Sequence, residues 1–134
     1  MERRLLQISV AIAGLAPVAG GLAGVFGGAA ALGEQAHSPF DSHFRYLSGL
    51  LVGLGVAYWS TIPDIERQEA RISLVTLIVV TGGFFRALGL LASGSPGWPM
   101  RAALVVELVG APLLYLWQRR IAQLQPMDAA AVER

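Results

Sequence analysis

From Leu5 to Leu32 the chain carries no ionisable side chain. A helix needs about 20 consecutive apolar residues to cross the hydrocarbon layer of a bilayer, so this run can span one with length left for tilt. Pro17 lies inside it and predicts a kink, because proline removes a backbone donor. A cleavable signal peptide is the rival assignment, with the small residues Gly28 to Ala31 suiting a peptidase. The apolar core of a signal peptide is about 7–15 residues, and this run is far longer. The first helix is therefore expected to stay in the protein.

Composition agrees with a lipid solvent. Hydrophobic residues make up 54% of the 134 residues and charged residues 14%, with a mean hydropathy of +0.57, whereas soluble domains carry about 25% charged residues. The net charge of +1 argues against a nucleic-acid partner, which demands a basic face. There is no cysteine, which excludes disulfides, thiolate metal sites and a cysteine nucleophile.

The stretch Asp41 to Glu66 organises the rest of the chain: polar residues, a glycine-spaced apolar segment, then aromatics, a proline and acids. It reads as one crossing between two aqueous faces. Gly33 to Phe44 is a polar link, and residues 45–62 are the second crossing. The charged loop PDIERQEAR (63–71) must sit in water, and residues 72–92 are the third crossing. SGSPGWP (93–99) is a tight turn, and residues 100–117 are the fourth crossing. The tail, 121–134, is expected to fray. The predicted fold is a single all-α domain, an integral membrane four-helix bundle with helices at about 5–32, 45–62, 72–92 and 100–117.

Orientation follows from the arginines. Arg3, Arg4, Arg67, Arg71, Arg119 and Arg120 fall on one side of a four-crossing chain, and Arg45 and Arg101 flank the other. The excess of positive charge in cytoplasmic loops then places both termini in the cytoplasm. Tyr58, Trp59, Tyr115 and Trp117 mark the inner boundary; Phe44, Tyr46 and Trp98 mark the outer one.

Helices in lipid associate through small residues that let backbones approach. Gly20, Gly24 and Gly28 recur at spacing four in the first helix, and Gly49 and Gly53 do so in the second. Gly82, Gly83 and Gly89 lie within a turn of Arg86, and Ala103, Gly110 and Ala111 within a turn of Glu107. Such spacing is common by chance in glycine-rich segments, so it speaks to packing more than to a homo-oligomer.

Arg86 and Glu107 are the ionisable residues well inside the predicted spans. A charge at a helix centre costs about 2.5–3.5 kcal/mol on insertion scales, so each needs a partner. Counted from the outer turn at about 1.5 Å per residue, both lie roughly 10 Å deep, which predicts that they meet. One reading makes the pair a structural lock between the third and fourth helices. The other adds His43, Arg45, Tyr46 and Ser48 to make a polar outer-leaflet pocket with one more arginine than carboxylate. Such a pocket would suit an anionic or carbonyl-bearing amphiphile, a lipid headgroup or a quinone ring. His37, Asp41 and His43 contain metal-ligand chemistry, but without helical pairing of the histidines a solvated loop is the simpler assignment and no metal is expected. No haem or other cofactor is expected either, because neither histidine lies in a span. Ser60 and Thr61 have no nearby histidine, and no catalytic residue is assigned. Glu66 with Arg67, and Glu69 with Arg71, in the inner loop stand either in solvent or against the arginine-bearing tail or a cytosolic partner.

The segments SHFRYLSGLLVGLG (42–55), IPDIE (62–66), GGFFRALG (82–89) and GSP (94–96), in that order, resemble a bacterial family of small four-crossing membrane proteins described only as a domain of unknown function. The likeness runs from the first helix to the fourth. It implies one four-helix membrane domain in which Arg45, Glu66 and Arg86 match recurrent positions, and it implies no activity. Two functional classes stay open: a non-enzymatic binder of a lipophilic or anionic small molecule, and an accessory subunit docked on a larger membrane complex. An enzyme ranks behind both, since no nucleophile–base pair is visible.

Overall fold

The computed structural model describes residues 1–32, 38–94 and 97–132. Its regular elements are all helical. Helix α1 spans Glu2–Gly27 and is followed by a 3₁₀ turn, Ala29–Leu32. Helix α2 spans Ser38–Trp59, a second 3₁₀ turn covers Ile65–Arg67, and α3 spans Glu69–Ser93. Helix α4, Trp98–Val105, continues through a π turn, Val106–Gly110, into α5, Ala111–Val132. Three rods are long and apolar enough to cross a membrane: Glu2–Gly27, Glu69–Ala92 and Trp98–Leu124. Helix α2 falls outside this set because its first two turns carry Asp41, His43 and Arg45.

Several boundaries differ from the predicted ones for physical reasons. Helix α2 starts at Ser38, so residues predicted as a polar link form its first turns. Pro39 is tolerated there, where a missing N–H costs nothing, and Asp41 in the first turn complements the helix dipole. Helix α2 stops at Trp59, ahead of Pro63. Tight turns take over there, with Thr61 N–H donating to Tyr58 O at 3.0 Å and Ile62 N–H to Trp59 O at 3.1 Å. Helix α5 runs past Trp117 because Gln118 and Ile121 are themselves buried. Parts of the predicted outer turn and of the polar link, including His37, lie outside the described residues.

The chain divides into two compact units, residues 7–63 and residues 1–6 with 64–134. In the first, α1 and α2 form an antiparallel hairpin. Gly14 of α1 faces Gly55 and Trp59, Gly21 faces Ser48 and Val52, and Gly24 faces Ser48 and Phe44. A Cβ on Gly21 would stand 2.7 Å from Ser48 O and 2.8 Å from Val52 N, so backbone meets backbone there. Trp59 Nε1 donates to Ala11 O at 3.0 Å and Gln7 Nε2 to Ile62 O at 2.7 Å, closing the open end of the hairpin. The predicted packing face thus holds at Gly24 and Gly28 and is corrected elsewhere. Gly20 is only in ordinary contact with Leu51, and Gly49 and Gly53 have no neighbour within 4 Å among the described residues.

In the second unit, α3 runs antiparallel to the α4–α5 rod. Gly83 faces Glu107 and Leu108, and Glu69 pairs with Arg119 a helix length away. Leu6, Ile65, Ile72, Gln118 and Ile121 are buried at the charged end. Elsewhere both units turn large apolar side chains outward, among them Ile8, Ile12, Leu77, Phe84, Phe85 and Leu113. A water-soluble surface does not do this over whole helices.

Candidate functional site

Glu107 sits on the π turn, and Pro112 explains the turn. Proline has no N–H to give to the carbonyl four residues back, and its ring crowds that carbonyl. The ladder widens accordingly, and Ala111 N–H donates to Val106 O in the five-residue pattern. Gly83 lets α3 approach this turn, since a Cβ there would come within 2.9 Å of Glu107 Cβ and 3.0 Å of Leu108 Cδ2. Across this join Arg86 Nε donates to Glu107 Oε2 and Nη2 to Oε1, each at 2.8 Å. The result is a fork-to-fork pair of the strong, bidentate kind. The third contact is weaker in kind: Arg86 Nη1 meets Met100 Sδ at 2.9 Å, and a thioether is a poor acceptor. The pair is partly covered, with the Arg86 side chain 32% exposed and Glu107 19%.

Four of the predicted site residues, His43, Arg45, Tyr46 and Ser48, belong to the other unit, and their geometry is their own. Helix α1 ends at Gly28, whose φ of +60° is in the left-handed region and whose N–H donates to Gly24 O at 2.9 Å. A side chain there would also strike Asp41 and Arg45. Asp41 accepts from Ala29 N–H at 2.8 Å and from Arg45 Nε at 2.7 Å. Arg45 Nη1 also donates to the α1 carbonyls of Val25 and Phe26. Arg45 thus clasps the end of α1, and Asp41 supplies its countercharge. Asp41 lies on α2 beside Arg45 and not in a loop. Its i, i+4 spacing from Arg45 is the signal that could have shown this. Ser48 is buried against Gly24 and donates to Phe44 O at 2.7 Å, while the His43 and Tyr46 rings lie 6.4 Å apart.

A third group of charges lies at the opposite end of the second unit. Arg3 Nε donates to Glu66 Oε2 at 2.9 Å, Arg119 pairs with Glu69 at 3.1 Å, and Arg120 with Glu2 at 3.7 Å. The hydrogen bond from Arg3 holds the Glu66 carboxyl below its ordinary value. Gln118 Nε2 ties α5 to the inner loop by donating to Ile65 O at 2.9 Å. The 63–71 stretch therefore does meet the arginine-bearing tail, through Glu69 at the start of α3, while Glu66 turns to the N-terminal head.

A family model described as a domain of unknown function, DUF4345, matches residues 5–118. The chain belongs to this family. The matched DUF4345 region contains both the Arg86–Glu107 join and the Asp41–Arg45 clasp, and it ends on Gln118. Arg3, Arg119 and Arg120, which hold the charged end together, fall outside it. No curated protein and no solved structure matches the chain.

Proposed function

We propose that this DUF4345 protein is a multi-pass protein of a bacterial inner membrane, crossing four times with both ends in the cytoplasm. At Arg86 it holds an anionic or carbonyl-bearing amphiphile. The arginine asymmetry supports the orientation. Helix α2, at 22 residues, is about 33 Å long and so reaches across a hydrocarbon layer. Its Arg45 is neutralised by Asp41 at the end facing outward in this topology.

One observation carries the ligand reading: the edge of Arg86 not taken by Glu107 rests on a thioether. A guanidinium beneath a lipid surface gains more from a phosphate, carboxylate or quinone oxygen than from sulfur, and Met100 has the rotamer freedom to give way. Glu107 fixes the guanidinium plane, so the exchange requires no movement of the helices. The alternative role, an accessory subunit of a larger complex, is favoured by the bare glycine face of α2 at Gly49 and Gly53.

Mass spectrometry of lipids and quinones that accompany the protein through mild-detergent purification tests the ligand reading. A defined amphiphile class is expected near one per chain in the wild type and absent from the folded double variant Arg86→Leu/Glu107→Leu. An identical set in both would end the ligand reading, and a protein partner in fixed stoichiometry would favour the alternative.

A further inference from the structure

We infer that Met100 is a reversible oxidation site, and that its sulfoxide tightens the join between α3 and the α4–α5 rod. This goes beyond ligand binding and concerns the state in which Met100, and not a bound amphiphile, meets Arg86. Met100 is 41% exposed and is the third residue of α4, beside the Gly97 cap, so hydrogen peroxide, a small neutral oxidant, reaches it within a turn of the end of the rod. Its sulfur is also the acceptor for Arg86 Nη1 at 2.9 Å. Hydrogen peroxide supplies the two-electron oxidant. A sulfur lone pair attacks one peroxide oxygen, the S–O bond forms as the O–O bond breaks, and the transferred oxygen's proton passes to the departing hydroxide, which leaves as water. Sulfur is oxidised by two electrons and peroxide is reduced by two.

The product replaces a weak acceptor with a strong, polar oxygen on the same flexible side chain. That oxygen lies within reach of a guanidinium already fixed by Glu107, so little freedom remains to be lost in forming the new bond. Arg86 then bridges Glu107 on the π turn and the sulfoxide on α4, and both ends of the rod's outer segment are held to α3. Sulfoxide reductases reverse the change.

The full chain in detergent, treated with hydrogen peroxide, tests the inference through peptide mass spectrometry and thermal melting. Met100 is expected to gain one oxygen, and the melting temperature to rise by about 3 °C. The rise should vanish on treatment with methionine sulfoxide reductases, and Met100→Leu, treated identically, should show none. Met1, which is fully exposed, reports that the reagent was active. Oxidation of Met1 with Met100 left as thioether would overturn the inference. So would an oxidised wild type that melts at or below the reduced protein, or an equal rise in Met100→Leu.

Discussion

Glu107→Leu is expected to destabilise the protein by about 3 kcal/mol, because it strands a guanidinium among apolar side chains. The Arg86 side chain is only about one-third exposed and sits on α3 with its plane against the Glu107 carboxylate. Arg86→Leu should cost less, since a lone carboxyl can take up a proton while a guanidinium cannot lose one. The double variant Arg86→Leu/Glu107→Leu should return to within about 1 kcal/mol of the wild type, as well-packed leucines replace a pair whose desolvation offsets most of its attraction. Detergent-phase melting of all four proteins closes the cycle and isolates the coupling. Additive single effects would mean that the two side chains do not hold α3 to the π turn.

The second large effect is steric. Gly21→Leu would force α1 and α2 apart, because a Cβ at that position already meets the backbone of Ser48 and Val52, which cannot rotate away. Overpacking of this kind costs about 1–3 kcal/mol, and the upper end is expected where backbone faces backbone. Gly49→Ala and Gly53→Ala should stay within about 0.5 kcal/mol of the wild type, since a Cβ at either would meet no described residue beyond the backbone of its own helix within 4 Å. The same melting assay separates the two faces. A larger loss at Gly49 or Gly53 than at Gly21 would show that helix contacts form on the other side of α2.

The contrast between those faces also shows how far the residues alone could carry the fold. Long apolar runs, charged loops and aromatic borders were sufficient for an all-helical chain, and rung counting was sufficient to pair Arg86 with Glu107. Both follow from local rules with few competing solutions. The packing seam was misplaced because spacing four drifts around a helix by about 40° per step, while seven-residue steps drift by only about 20°. The α1 contacts follow Gly14, Gly21 and Gly28, a run of sevens with Gly24 beside it, so the run of fours holds at Gly24 and Gly28 and fails at Gly20. Pro39 disguised the start of α2 as a loop, and with it the Asp41–Arg45 clasp. Pro112, inside the predicted fourth crossing, does not by itself show that a π turn forms there.

The proposed topology is the frame on which every role given to Arg86 depends, and reporter fusions test it most directly. A reporter enzyme active only in the periplasm is expected to be active when fused after Trp98 and silent when fused after Gln68. Activity after Gln68 with silence after Trp98 would place Arg86 under the opposite face of the membrane and contradict the account.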